Sequence, residues 1–264
     1  MSRPGRAPTL GRVYEERPAR VDGAVLWTRV LGPGPGAEHP VLPDGCMDLL
    51  WCDGRLLVAG PDTRAYVPEG TVAHYAGIRF APGDAPALLG VPANELRDRR
   101  VALGALWGEA RARRLGERIA AAPDPAAALE ELAVRRAADA PAPDPLLREV
   151  VRRLNAGRTV AETSEAVGLG TRQLHRRSLD AFGYGPKTLA RILRLQRALA
   201  LARTGLPYSE AALRAGCADQ AHLARETRAL TGMTLSGLTG RVSSYAPAAA
   251  KRETPQPSGS RTTA

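Results

Sequence analysis

Two sets of side chains in this chain have types and spacings that could do chemistry. In the first, Arg172, His175 and Arg176 fall within five residues, and Gln220, Ala221 and Arg225 within six. An arginine can bond guanine bidentately and a glutamine can do so with adenine, each pair being worth about 1–3 kcal/mol of discrimination. Arg177, Lys187, Arg191, His222 and Arg228 lie around them. Such groups suit phosphates, which position a partner without specifying its sequence. The second set is His39, Asp44, Cys46, Asp48, Cys52 and His74. None of its pairs has the Cys-x2-Cys or Cys…His spacing of a zinc site, so no metal and no cofactor are expected. Cys46 and Cys52 would share one side of a strand, as small apolar side chains do. A thiol at Cys46 working with Asp44 or His74 lacks an evident convergent base, so no catalytic residue is assigned. Trp27, Cys46, Trp51, His74 and Tyr75 form the candidate lining of an effector pocket, because such pockets are apolar and aromatic; the alternative is that they are core.

The first set needs elements that present it. Val160 to Val167 reads as a short helix closed by Gly168, and Thr171 to Phe182 as a second helix after a Gly-Leu-Gly turn. Two short helices about a glycine turn are a helix-turn-helix pattern, with the glycine supplying a left-handed residue. The pattern returns: Tyr208 to Ala215, a turn at Gly216-Cys217-Ala218, then Asp219 to Leu230. Leu174, Arg176 and Gly183 fall on Leu223, Arg225 and Gly232 at a shift of 49 residues, and Gly168 on Gly216 at 48. Internal repeats of this kind are stronger signals than single motifs. Pro186 to Thr204 is one connecting helix, started by proline and stopped by Gly205 and Pro207. It would span roughly 28 Å, enough to set two helices about one DNA turn, ~34 Å, apart. Leu174 and Leu179 are expected inward on the first recognition helix, and Leu223 and Leu230 on the second.

These residues carry a resemblance. Leu146 to about Arg241 resembles the DNA-binding domain of AraC/XylS-type transcriptional regulators. In the first half it does so through Ala166, Gly168, Arg172, Leu174, Arg176, Arg177, Gly183, Pro186 and Lys187. In the second half the run from Ala215 to Met233 carries it. The family usually has an aromatic at Ser178, Cys217 and Thr227 and a proline at Leu235; these departures fall on core positions. Position by position, the resemblance implies base contacts at Arg172, His175, Arg176, Gln220, Ala221 and Arg225. Leu42 to Trp51, Val58 to Arg64 and Ile78 to Asp98 resemble the effector-side domain that precedes such a unit in a subgroup of bacterial regulators.

Charge supports the division. Residues 1–143 hold 18 basic and 18 acidic side chains, whereas residues 144–242 hold 16 and 8. The excess of the whole +10 chain therefore lies with the repeat and the tail, as in a polyanion-binding part joined to a neutral one. No apolar run is long enough to span a membrane, no secretory h-region precedes Val13, and three cysteines suit a reducing cytoplasm.

The remaining elements give an α+β protein. Met1 to about Ala19 reads as irregular. Strands are expected at Ala24–Leu31, Cys46–Cys52, Arg55–Ala59 and Val72–Phe80, with Gly32–Gly36 a loop and Asp53-Gly54 a hairpin turn. Helical stretches follow at Ala87–Leu89, Ala93–Arg97, Ala105–Arg118 and Pro125–Ala138. This defines a β-rich sensor or dimerisation domain over residues 1–137, and the resemblance implies a cupin-like or other small β-rich fold for it. A proline-rich linker covers 138–145, an all-α domain 146–241, with units at 160–182 and 208–230 joined by helix 186–204, and a disordered tail 242–264. The expected function is sequence-specific regulation of transcription on double-stranded promoter DNA, governed by a small-molecule effector. Contact with RNA polymerase and homodimerisation are compatible with it. The alternative is a DNA-tethered thiol or metal-dependent enzyme or redox sensor using Cys46.

Overall fold

The computed structural model describes residues 14–31, 40–68 and 73–241. The expectations for Met1 to Val13, the Gly32–Gly36 loop, His39 and the 242–264 tail lie outside the described residues. Six strands come first: β1 (Tyr14–Pro18), β2 (Val25–Leu31), β3 (Met47–Cys52), β4 (Arg55–Ala59), β5 (Ala73–Phe80) and β6 (Arg100–Ala102). They form one antiparallel sheet in the order β1-β2-β5-β3-β4-β6, with β1 and β6 as its edges. The β3–β4 turn holds both Asp53 and Gly54 at positive φ, 44° and 86°, as the two-residue hairpin requires.

Strand alternation sorts the sheet into two faces. Leu26, Ile78, Leu49 and Val58 are register partners in one row across four strands. All four are buried in the first core. Full burial of such a side chain is worth about 1.5–3 kcal/mol. Helices α1 (Ala85–Leu89), α2 (Leu103–Trp107), α3 (Glu109–Ala120) and α4 (Pro125–Asp139) pack on that face. Asp124 starts α4 by accepting hydrogen bonds from Ala126 and Ala127 N–H at 2.9 and 3.1 Å.

Three expectations need correction here. The segment ending at Ala19 is not wholly irregular, since Tyr14–Pro18 is an edge strand. The carboxylate of Glu130, on α4, takes two bonds from Arg17, at 3.0 and 2.8 Å, and one from Arg20 N–H at 2.8 Å. Those partners lie more than a hundred residues away, so no local pattern reveals them. The single helix expected over Ala105–Arg118 is broken into α2 and α3 at Gly108, which adopts φ +88°. Ala93–Arg97 shortens to a 3-10 turn over Ala93–Glu95, and β6 was not anticipated.

The second part is all helical: α5 (Pro145–Asn155), α6 (Val160–Ala166), α7 (Thr171–Phe182), α8 (Pro186–Arg203), α9 (Tyr208–Ala215), α10 (Gln220–Thr231) and α11 (Leu235–Arg241). Thr159 and Glu162 start α6 with a reciprocal capping box. Leu154, Leu174, Leu189, Ile192, Leu195, Leu199 and Leu223 build the second core about α8. Leu42, from the loop before β3, is buried in this same core. The two parts meet closely. Ala65 N–H donates to Leu230 O at 3.0 Å, Gln196 donates to Pro43 O at 2.5 Å, and Arg148 pairs with Asp22 and Asp84 at 2.8 and 3.0 Å.

Candidate nucleic-acid interface

The repeat read from the sequence is also a repeat of hydrogen bonds. In the first unit Gly168 N–H donates to Glu165 O and Leu169 N–H to Ser164 O, both at 3.0 Å. In the second, Gly216 N–H donates to Leu213 O at 3.0 Å and Cys217 N–H to Ala212 O at 2.9 Å. Gly168 and Gly216 both take positive φ, 66° and 86°, which a side chain would resist. Each recognition helix then closes on a left-handed glycine, Gly183 after α7 and Gly232 after α10.

Packing fixes which face of each recognition helix turns outward. On α7 the buried residues are Leu174, Ser178, Ala181 and Phe182. Leu179, expected inward, is only half-buried. Five residues of helix turn the chain about 140° away from Leu174, whereas four return it to the same side. On α10 Leu223, Thr227 and Leu230 are buried, as expected for the two leucines. Ser178, Thr227 and Cys217, the three positions lacking an aromatic, are all buried. Thr227 satisfies its hydroxyl on Leu223 O at 2.8 Å.

The structure leaves Arg172, His175, Arg176, Gln220, Ala221 and Arg225 exposed. Arg176 and Arg225 occupy equivalent places in the two units. His175 is less free than the others, because its ring lies over Gly185, where an added Cβ would stand 2.7 Å from Cε1. Arg177, Lys187 and Arg228 are exposed as well, while Arg191 and His222 are half-buried. Arg177 reaches Asp144 at 3.7 Å.

Glu226 is the residue that the sequence reading missed. Its carboxylate pairs with Arg191 at 3.2 Å and Arg194 at 3.3 Å, both from α8, and with His222 one turn back at 3.6 Å. The His222–Glu226 spacing of four residues was the signal available. Cys217, His222 and Glu226 place their ligating atoms within 4.8 Å of one another. Two guanidiniums on the same carboxylate oppose a further cation there, so the group is better described as an ion-pair cluster tying α10 to α8.

The five candidate pocket residues do not share one wall. Trp27 pairs in register with Gly77, and Trp51 with the adjacent Ala76, so the two indoles lie on opposite faces of the sheet. Trp51 packs against the first core. Tyr75 follows the face of Gly77, and His74, exposed, that of Ala76. Trp27 lies over Gly77 and donates from Nε1 to Asp48 at 2.7 Å. Around Asp48 is a half-buried polar cluster centred on the buried Arg79. Arg79 lies 3.6 Å from both Asp44 and Asp48 and 3.8 Å from Glu16. Cys46 sits beside it, and burial, with Asp44 adding to it, pushes its thiol well above the ordinary range.

Burial raises the Asp48 carboxyl from 3.8 to about 6, with Arg79 opposing the shift. The folded chain therefore holds this proton where the unfolded chain has lost it. Its contribution to stability is complete below about pH 4, is lost as pH rises to about 6, and stays level above. Asp48→Asn keeps an acceptor for Trp27 and removes the titration. The difference in melting temperature between wild type and Asp48→Asn is expected to move in favour of the variant between pH 4 and 6, then hold constant. A flat difference across that window would contradict the shift.

An exposed pair of arginine-bearing helices, repeated in sequence and in hydrogen bonding, defines a helix-turn-helix DNA-binding protein. Residues 148–241 match the family model described as a helix-turn-helix domain, and residues 24–102 match a domain of unknown function, DUF6597. Residues 148–241 are thus a helix-turn-helix domain, and a β-rich part stands ahead of it. Among solved structures it is similar to a probable AraC family transcriptional regulator from Rhodopseudomonas palustris CGA009, with 26% identity and a TM-score of 0.32, over 37% of this chain and 97% of that one. It is also similar to ToxT from Vibrio cholerae, with 8% identity and a TM-score of 0.48, over 84% of this chain and 100% of that one. The helix-turn-helix assignment rests on the family model and on the hydrogen-bonded repeat, not on these two likenesses. Among curated proteins no match is found. No helix among the described residues is long and apolar enough to cross a membrane.

Proposed function

We propose that this DNA-binding regulator reads a specific promoter with α7 and α10 together and answers to a small molecule at its β-rich part. The observation that carries the first half is the equivalent, exposed placement of Arg176 and Arg225 on frames with matching hydrogen bonds. Arg172, His175, Gln220 and Ala221 complete the base-reading set. Arg177, Lys187, Arg191, His222 and Arg228 are proposed for phosphates. Arg177, Arg191 and His222 would first have to leave Asp144 or Glu226. The test is retention of sheared DNA from the source genome by the purified chain in about 0.15 M salt. A few fragments should be enriched over random competitor, and uniform retention would refute sequence reading.

For the effector half, the support is position. The Asp48–Arg79 cluster and Cys46 flank Asp44, and the neighbouring Pro43 carbonyl accepts from Gln196 of α8. A small molecule that rearranged this loop would bias how the helical domain is held. Contact with RNA polymerase and pairing of two chains belong to the same reading. The thiol alternative loses ground because burial and the neighbouring Asp44 raise the Cys46 thiol well above its ordinary range, which disfavours the nucleophilic thiolate. Cys46→Ser should leave promoter regulation unchanged, and its loss would revive that alternative.

A further inference from the structure

Arg197 lies on α8, in the half nearer its C-terminus, and is half-buried. Its guanidinium is spread over two helix ends that belong to different halves of the domain. Nη1 donates to Leu154 O at 3.1 Å and to Asn155 O at 2.5 Å, the last two residues of α5. Nη2 donates to Ala215 O at 2.8 Å, the last residue of α9. Helix α5 packs beside α6 and α8 in the first half, and α9 begins the second helix-turn-helix unit. Carbonyls in the last turn of a helix have no partner within it and carry the negative end of its dipole. A cation placed between two such ends holds both. Arg194, one turn earlier, adds a bond to Gly216 O at 3.2 Å in the turn of the second unit. The continuous helix α8 sets the distance between the units. Side chains of α8 contribute to fixing the rotation of α9 about it, and Arg197 is one that bonds to both halves.

We infer that Arg197 is a positioning residue which fixes the angle between the two helix-turn-helix units and so selects the spacing of the two base sets the protein accepts. The inference rests on the proposal that α7 and α10 engage one duplex together. A lysine in its place keeps the charge but gathers its donors on one nitrogen and cannot span two helix ends with one planar fork.

The test uses the full chain and a duplex selected from a random-sequence pool by the wild-type protein. A second duplex carries two extra base pairs between the half-sites, which turn one half-site by roughly 70° relative to the other. Wild type should bind the altered duplex about tenfold or more weakly, equivalent to losing one good base contact. Arg197→Lys and Arg197→Ala should lose less on the altered spacer, so that the ratio of the two dissociation constants shrinks about threefold or more. Simple destabilisation would weaken binding to both duplexes alike and leave that ratio in place. The lysine variant decides the matter if the alanine variant fails to fold. Both variants keeping the wild-type ratio would overturn this inference alone. A wild-type protein indifferent to the spacer would overturn the two-unit reading, and the role of Arg197 with it.

Discussion

Arg176→Ala is expected to weaken binding to a selected duplex by about ten- to a hundredfold, the loss of one bidentate base contact. Arg225→Ala should cost a similar factor. The more informative expectation is where each relaxes sequence preference. Arg176 stands on α7 and Arg225 on α10, so the bases released by one variant should lie in the opposite half of the site from those released by the other. Titration of each variant against a set of singly substituted duplexes measures this. Equal weakening on every sequence, with the salt slope reduced by about one, would identify a phosphate contact instead. Both residues are exposed, so neither change should alter folding, which a melting curve checks.

Gly183→Ala is expected to be far more damaging than Gly232→Ala, although the two glycines are equivalent in the repeat. Both follow a recognition helix at positive φ, 79° and 70°. A left-handed alanine costs about 1–2 kcal/mol, and nothing lies within 4 Å of the Cβ position at Gly232. At Gly183 the added carbon would stand 2.5 Å from Pro61 Cγ and 3.1 Å from Ala93 O, both in the β-rich part. Overpacking adds about 1–3 kcal/mol, giving a total of about 2–5 kcal/mol. Arg97, which donates to Gly183 O at 3.4 Å, would be displaced as well. Denaturation of the two full-length variants tests the difference. Equal losses would show that α7 does not rest on the β-rich part in solution.

The paired expectations show what the sequence could and could not reveal. Period and turn chemistry made α6 through α10 legible almost to the residue, because each unit is specified locally by a capped helix, a glycine turn and a leucine four or seven residues from its core neighbours. Asp53-Gly54 likewise announced the β3–β4 hairpin. What stayed hidden depends on partners distant in the chain. Tyr14–Pro18 is a strand through β2, with Arg17 held by Glu130, while its own composition reads as irregular. Leu42 belongs by sequence to the stretch resembling the effector-side domain, yet it is buried among the helices of the DNA-binding part. Trp27 and Trp51 were grouped by type, and only the register placed them on opposite faces. For the candidate interface, exposure of the arginines followed from helical period. The roles of Glu226 and Arg197 did not, since both act across the contact between α8 and its neighbours.

The central claim is that two equivalent helices enter successive major-groove faces of one duplex. Hydroxyl-radical cleavage of a bound, selected duplex measures this at single-nucleotide resolution. Two protected patches on one side of the double helix, centred about 10 base pairs apart, are predicted, each lost separately in Arg176→Ala or Arg225→Ala. A single patch, or protection that runs uniformly along the DNA, would contradict the account.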